Sequence, residues 1–314
     1  MEILRRGLPD DLVDALRDAY QKDDWWTHIV NDPEVFVAPR KSCVCVYYRG
    51  NCLLRLAIRD GKLIGSVHYK YLLKPELKPT YWNAEEGQIK QPDGIDPFIS
   101  DFSDLDLVKR ASRPYALEEK QGVSEIIRAN PNIIDVEIAL GDSGDLTDEG
   151  DEPAPAINGP KARHNSRVDF VAVQDGGKTL KLVFFEAKHF GNLELRASTG
   201  EPRVVKQIER YANLLKKHEQ EVIYAYRRHC ADMLKSDCIP KDSERRKFLS
   251  KVTVDAAVEL DSNPRLVVFG FDADEKAGPG WKPHKDKLGK LLDGRVFLRG
   301  NAKGLVRGVR FREP

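Results

Sequence analysis

Short β-rich runs separated by polar turn residues occupy much of the first 110 residues. After a short amphipathic helix at PDDLVDALRDAY, β-rich segments follow one another with the turn compositions PRKS, RGN and RDGK between them. Strands joined by such short turns pair with their neighbours, so this pattern predicts an antiparallel β-meander. The predicted strands are VFVA (35–38), CVCVYY (43–48), CLLRLAI (52–58) and LIGSVHYKYL (63–72). The polar, Pro-rich stretch 74–104 lacks periodicity and is expected to wrap this unit or to link it onward.

Helical and strand periods alternate in the rest of the chain, which is typical of an α/β domain. A helical face runs through RPYALEEKQGVSEIIRANP, and a long helical pattern follows from Pro202 to Ser236. A basic segment, KDSERRKFLSK, and a helix near HKDKLGKLL come later. The predicted strands are IIDVEIAL (133–140), RVDFVAV (167–173), TLKLVFFEAKHF (179–190), RLVVFGF (265–271) and RVFL (295–298). We predict two domains, an N-terminal β-meander at 1–110 and an α/β domain at 111–314.

An acidic segment interrupts the second domain at 141–166. Its Gly, Pro and Ala content cannot build a core, so we interpret it as a solvated insertion. The alternative is a mimic of nucleic acid that covers the functional site until substrate arrives. No basic residue occurs before Lys161, and the acids are Asp142, Asp145, Asp148, Glu149, Asp151 and Glu152.

Composition narrows the class of protein. The 314 residues are 41% hydrophobic and 32% charged with a formal net charge of +1, which excludes a disordered chain and a uniformly basic nucleic-acid coat. No apolar run approaches the roughly 18–20 residues of a membrane span, and the first residues lack the apolar core of a signal peptide. An odd number of cysteines suits a reducing compartment, so we expect free thiols and a cytoplasmic location. Cys43, Cys45 and Cys52 are interpreted as small strand residues, with a zinc site as the alternative.

Charged residues occur inside two apolar strands of the second domain. Asp169 lies within RVDFVAV and Glu186 follows LVFF, and an acid in such a strand requires a partner or a metal. Lys188 projects from the same face as Glu186, roughly 6–7 Å away along the strand. If the two strands pair, Asp169 approaches Glu186 at the ends away from their turn. Mg²⁺ and Mn²⁺ prefer such oxygen ligands, so we expect Asp169 and Glu186 to hold the metal; a structural ion pair is the alternative.

The order of these elements resembles the PD-(D/E)XK nuclease superfamily from Arg113 to about Tyr226. An acid-bearing helix, a strand, a strand with an Asp, a strand with Glu-Ala-Lys and a helix follow one another. The last helix contains Gln207-Ile-Glu-Arg-Tyr211, which is similar to the QxxxY motif of RecB-type nuclease domains. Val168 stands where the superfamily has Pro, a departure that also occurs among its members.

This resemblance implies a restriction-endonuclease-like mixed sheet flanked by helices and an Mg²⁺-dependent (or Mn²⁺-dependent) nuclease. It favours DNA over RNA as substrate and makes an endonuclease of bacterial restriction or antiviral (anti-phage) defence plausible. The alternative is a catalytically silent nucleic-acid-binding or protein-interaction module on the same fold. A second copy of the chain or a regulatory protein remains open as a partner, and no membrane partner is expected. The implied catalytic residues are Asp169, Glu186, Lys188, Glu119, Gln207 and Tyr211, the first two as metal ligands.

The remaining roles follow from the same resemblance. Lys188 is expected to orient the attacking water or to stabilise the transition state. Gln207 and Tyr211 lie four residues apart and share a helix face, where they could position water and a substrate phosphate. The supporting acid of the first helix is assigned to Glu119, with Glu125 and then Glu118 as alternatives, because the sequence leaves the helix register open. Any of the three could instead be an ordinary exposed acid.

Basic and polar residues close to the predicted site suit phosphate binding, although a solvated helix start would have the same composition. Segments 241–251 and 281–314 are also rich in Lys and Arg and could form a rim, or could simply aid solubility. The candidate nucleic-acid-binding residues are Asn192, Arg196, Arg203, Lys206 and Arg210.

The N-terminal domain is interpreted as an accessory or sensing module. Residues around its first hairpin mix aromatic and basic side chains, which suits base stacking or phosphate contact. A protein-docking surface and an ordinary meander remain as alternatives. These residues are Arg40, Tyr47, Tyr48, Arg49 and Asn51.

Overall fold

The computed structural model of the chain describes residues 3–4, 6–23, 25–72, 81–85, 88–89, 105–141, 167–175, 179–253 and 257–303. Within these residues it is an α/β protein with two sheets. The predictions made for the acidic insertion, for most of the Pro-rich stretch 74–104 and for the end of the basic C-terminal segment lie outside the described residues.

The N-terminal sheet is antiparallel, and its strands pair in chain order, as the meander prediction requires. Its last two strands lie within the stretch 74–104, where the sequence shows no periodicity and no strand was predicted. The second helix was also not predicted, and its Trp26 is fully buried. The elements are α1 (Asp10–Gln21), α2 (Trp25–Asn31), β1 (Val35–Pro39), β2 (Val44–Tyr48), β3 (Asn51–Arg59), β4 (Lys62–His68), β5 (Tyr81–Glu85) and β6 (Gln88–Ile89).

The second sheet is mixed, has five strands and is flanked by helices. The elements of this half are α3 (Leu105–Ser112), α4 (Glu118–Ala129), β7 (Ile133–Ala139), β8 (Arg167–Asp175), β9 (Thr179–His189), α5 (Arg203–Lys217), α6 (Glu219–Lys235), α7 (Glu244–Thr253), β10 (Ala257–Phe269), α8 (Ala273–Ala277), α9 (Lys282–Leu291) and β11 (Val296–Arg299). The strand order is β11-β10-β9-β8-β7. Strands β7, β8 and β9 pair antiparallel, whereas β9, β10 and β11 pair parallel.

Three features of this half differ from the sequence prediction. The long helical pattern breaks at His218, whose φ of −120° and ψ of 30° leave the helical region, so α5 and α6 are separate helices. The basic segment forms α7, which buries Leu249 and Val252 under a polar surface. The strand predicted at 265–271 extends back to Ala257, because it pairs with the whole length of β9. The periodicity of apolar residues alone does not locate the break between α5 and α6.

The two sheets share a hydrophobic cluster. Phe36 and Cys45 of the N-terminal sheet pack with Ile133, Phe170 and other residues of the mixed sheet. All five cysteines are free thiols. This packing holds the meander against the domain that carries the predicted catalytic residues.

A buried ionic network also joins the two halves. Asp135 on β7 is fully buried and pairs with Arg6 at 2.6 Å and with Arg40 at 2.8 Å. Tyr226 donates a further hydrogen bond to this carboxylate at 3.1 Å. The guanidinium groups of Arg40 and Arg6 hold the pKa of Asp135 below its ordinary value, although burial opposes them.

Arg40, Tyr47, Tyr48 and Asn51 are buried, so they cannot present the exposed base-stacking or docking surface considered for the first hairpin. Arg40 instead pairs with Asp135 in the buried ionic network. It also donates a hydrogen bond to the backbone oxygen of Val136 at 2.6 Å. Within this set, only Arg49 is partly exposed.

Candidate active site

The predicted site lies where β8 and β9 separate. Their pairing ends at Phe170 and Phe185, so the next residues on each strand no longer share backbone hydrogen bonds. At this point the carboxylate of Asp169 accepts a hydrogen bond of 2.6 Å from the backbone N–H of Ala187. The aspartate side chain thereby takes the position that a strand carbonyl would otherwise occupy, directly beside Glu186.

Glu186 is almost completely buried between the sheet and α5. Its Oε1 lies 2.9 Å from the Lys188 ammonium and accepts a hydrogen bond of 2.9 Å from Gln207. Its Oε2 is buried and has no hydrogen-bond partner among the described residues. A buried anionic oxygen without a donor is unfavourable unless a cation or a further donor binds there.

Lys188 is surrounded by carboxylates. Besides Glu186, its Nζ lies 3.1 Å from Glu194 and 3.6 Å from Glu119. Burial favours the neutral amine, but Glu186, Asp169 and Glu119 outweigh it and raise the pKa of Lys188. The group therefore remains an ammonium, which donates hydrogen bonds and does not accept a proton.

Glu119 is the acid of α4 that reaches the site. Besides Lys188, it accepts hydrogen bonds from the backbone N–H of His189 at 3.1 Å and from the Asn192 amide at 2.7 Å. Glu118 is largely exposed, and Glu125 pairs with Arg128 on the surface of the helix. Of the three acids considered from the sequence, only Glu119 contacts the cluster.

A close approach of α4 to the sheet positions Glu119. Gly122 lies one turn after Glu119, and a Cβ atom at this position would come within 1.9 Å of the buried ring of Phe269. Only glycine lets the helix approach β10 this closely.

Gln207 and Tyr211 share one face of α5, as their spacing predicts. The Gln207 amide donates to Glu186 and also to the Tyr211 hydroxyl at 2.8 Å. The Tyr211 hydroxyl in turn donates to the backbone oxygen of Arg167 at 2.9 Å, at the start of β8. This chain of hydrogen bonds connects Glu186 to α5 and to the start of β8. Gln207 and Tyr211 therefore hold the Glu186 carboxylate in position.

Burial and mutual repulsion perturb the two predicted metal ligands. Burial raises the pKa of Glu186 from its ordinary 4.5 to about 7, even though Lys188 opposes the shift. Burial and the charge of Glu186 raise the pKa of Asp169 well above its ordinary value. Raised pKa values of two carboxylates in one cleft are common at functional sites, and a nearby cation would favour the ionised forms of both groups.

The predicted phosphate-binding residues divide into two groups. Arg203, Lys206 and Arg210 are exposed along α5, on the same stripe as Gln207. Arg196 donates to the backbone oxygens of Phe190 and Asn192 at 2.6 and 3.1 Å, and Asn192 orients Glu119. The first group therefore faces solvent beside the site, and the second shapes the loop after β9.

Two acids of the neighbourhood were not singled out from the sequence. Glu194 contacts Lys188, and it follows a Gly-Asn turn whose geometry the sequence does not show. Glu137 lies on β7 between Val136 and Ile138, which both pair with β8; it has a φ of 49° and lines the same cavity as Asp169 and Glu119. The acidic residue inside the apolar segment IIDVEIAL was the available signal for Glu137.

The donor set fits a hard cation. The described residues contain no group of three or more His, Cys, Asp or Glu side chains arranged to hold a metal. The site offers two carboxylates, one of them with an unpartnered buried oxygen, and Mg²⁺ commonly binds through one or two carboxylates while keeping several waters. Zinc at the three N-terminal cysteines has no such support.

Comparisons with known proteins do not assign a function to the site. No family model, no curated protein and no solved structure matches the chain. Among the helices of the described ranges, none is long and apolar enough to cross a membrane.

Proposed function

We propose that the protein is an Mg²⁺- or Mn²⁺-dependent nuclease on a restriction-endonuclease-like fold, and that it hydrolyses phosphodiester bonds in DNA. The observation that carries this proposal is the buried Glu186 carboxylate, which has one oxygen on Lys188 and Gln207 and the other oxygen unpartnered beside Asp169. The preference for DNA, and a role in bacterial defence, rest on the resemblance to PD-(D/E)XK nucleases.

Asp169 and Glu186 would hold the cation. When bound, Mg²⁺ or Mn²⁺ acidifies water and offsets the charge that develops on a phosphodiester. Lys188 remains protonated between its carboxylates, so it can donate a hydrogen bond to the attacking water or to a phosphate oxygen. Glu119 and Glu194 hold the ammonium in place from the opposite side.

The residues on α5 would hold Glu186 in position and would bind the substrate. Gln207 and Tyr211 keep Glu186 fixed through the hydrogen bonds to Oε1 and to the start of β8. Arg203, Lys206 and Arg210 on the exposed stripe would bind backbone phosphates on either side of the scissile bond. A net charge near zero is compatible with this arrangement, because the cations are concentrated beside the acids.

The test is incubation of the purified chain with linear, circular and single-stranded DNA and with RNA, in Mg²⁺ or in EDTA. We expect cleavage that requires Mg²⁺ and that Lys188→Ala and Asp169→Ala both abolish, with melting temperatures showing that the variants remain folded. Lys181→Ala on the same strand as Lys188 is a matched control, because Lys181 is half exposed and pairs only loosely with Glu259 at 3.8 Å. Equal cleavage by the wild type and both site variants would refute the assignment.

A further inference from the structure

A cavity of about 800 Å³ lies between the N-terminal sheet and the mixed sheet. Its wall includes Asp169, Glu119 and Glu137 of the candidate active site and also the segment that leads into α7. Cavities of this size accommodate ligands as large as a nucleotide. The cavity therefore gives the meander a direct connection to the catalytic carboxylates.

Arg245 lies in the wall of this cavity without a carboxylate partner among the described residues. Its guanidinium packs 4.6 Å from the centre of the Phe36 ring and donates only to the backbone oxygen of Ile127, at 3.3 Å. Its Nε is buried and makes no hydrogen bond to any described residue. Burial lowers the pKa of Arg245 to about 10.

The start of α7 beside Arg245 favours an anion through its backbone, whereas the exposed acids Asp242 and Glu244 oppose one. The residues before α7, among them Asp242 and Ser243, line the cavity, and Ser243 accepts a hydrogen bond of 3.2 Å from the backbone N–H of Arg245. The first turn of a helix carries a partial positive charge and favours phosphate groups. Lys120 and Arg49 add positive charge to the opposite wall.

Two other carboxylates of the cavity wall are neutralised, whereas Asp242 is exposed to solvent. Asp32 and Glu34 line it, but they bind the Lys109 ammonium at 2.7 and 2.9 Å. Among the described residues, the Arg245 guanidinium thus lines the cavity without an ion pair, although the exposed Asp242 lies three residues before it.

We propose that this cavity binds a nucleotide, with a phosphate group on the Arg245 guanidinium. The anion site rests on Arg245, whereas the choice of a nucleotide rests on the proposed nuclease function. The nucleotide is either part of the strand being cut or a free nucleotide, and both present the same phosphate to the same guanidinium.

The experiment measures binding to the full chain by calorimetry in EDTA, so that no cleavage occurs. The probes are thymidine 5′-monophosphate, thymidine, inorganic phosphate and a short 5′-phosphorylated thymidine oligomer. We expect the monophosphate to bind at least about tenfold more tightly than thymidine, because a buried charged hydrogen bond is worth that much. Arg245→Met, which keeps the packing on Phe36, should reduce the affinity for the monophosphate by about tenfold or more.

Lys247→Met is the matched control, because Lys247 lies on the same helix, has 70% of its side chain exposed and pairs with Glu244 at the helix surface. It should bind the monophosphate as the wild type does. Unliganded Arg245→Met should melt no lower than the wild type, since it loses no ion pair. If that variant does not fold, Arg245→Lys replaces it, and loss of the two-pronged guanidinium should still weaken binding measurably.

Equal affinity for thymidine and its monophosphate, or equal affinity of Arg245→Met and wild type, would overturn the nucleotide site. Tighter binding of the oligomer than of the monophosphate identifies the substrate strand as the occupant, and equal binding identifies a free nucleotide. Because binding is measured without metal, a protein that binds the probes but cuts nothing would refute the nuclease function and leave this site standing.

Discussion

Replacing Glu186 by Gln should make the metal-free protein more stable at alkaline pH and should remove its response to Mg²⁺. The side chain is only 2% exposed and keeps one oxygen without a donor, so its ionised form is poorly solvated. Gln has the same shape and can still accept from Lys188, but it carries no charge to be desolvated.

The size of the effect follows from the pKa of Glu186, which rises from 4.5 to about 7 on folding. One pH unit corresponds to about 1.4 kcal/mol, so ionising the buried group lowers the free energy of unfolding by about 3 kcal/mol. The folded state holds the proton more tightly than the unfolded state, so this loss begins as the pH rises past the unfolded value and is complete above the folded value. The difference between the variant and the wild type should therefore be close to zero near pH 4.5 and about 3 kcal/mol near pH 8.

Urea denaturation of both proteins in EDTA across this pH range measures the difference directly. Added Mg²⁺ should then raise the stability of the wild type at alkaline pH, because it binds only the folded state, and should leave the variant unchanged. Glu194→Gln is the control: it also touches Lys188, but it is 37% exposed, so its effect on stability should be small. A difference for Glu186→Gln that stays constant with pH would refute the argument that burial destabilises this carboxylate.

Two further predictions concern the elements that position the site. Gly122→Ala should lower stability by about 1–3 kcal/mol and weaken cleavage, because the new methyl group displaces α4 and its Glu119 from the sheet; Gly289→Ala, where nothing lies within 4 Å, should instead be neutral or stabilising. Asp135→Asn should cost about 3–5 kcal/mol, because it leaves two buried arginines without a counter-charge. Asp261→Asn, at a partly exposed ion pair, should change stability by less than about 1 kcal/mol. Chemical denaturation measures all four variants, and equal losses at Asp135 and Asp261 would contradict the second prediction.

The site residues that could be predicted from the sequence are those whose charge conflicts with the apolar pattern around them. An acid inside an apolar strand, as at Asp169 and Glu186, is conspicuous because burial without a partner is unfavourable. The spacing of Glu186 and Lys188 also predicts a shared face, since side chains alternate along a strand. The four-residue spacing of Gln207 and Tyr211 predicts a shared helix face for the same kind of reason, and both pairs make contact in the structure.

Other parts of the site could not be predicted from the sequence. Three neighbouring acids of α4 are nearly equivalent in sequence, and only the packing of Gly122 on Phe269 brings Glu119 to Lys188. Arg245 lies in a segment that is simply basic in sequence, and its lack of a carboxylate partner is visible only where α7 meets the N-terminal sheet. The break between α5 and α6 and the burial of Arg40 were likewise missed.

The sequence by itself determined the local secondary structure, which is a meander of short strands followed by a mixed α/β pattern. It also determined that two acids and a lysine lie on adjacent strands. These features depend on neighbours two to four residues apart, which the chain displays directly. Only the tertiary structure decided how the two sheets meet, because that depends on which distant apolar faces and charges fit together. It placed Arg6 and Arg40 on Asp135, and it left between the sheets a cavity that runs from the carboxylates to a guanidinium without a partner carboxylate among the described residues.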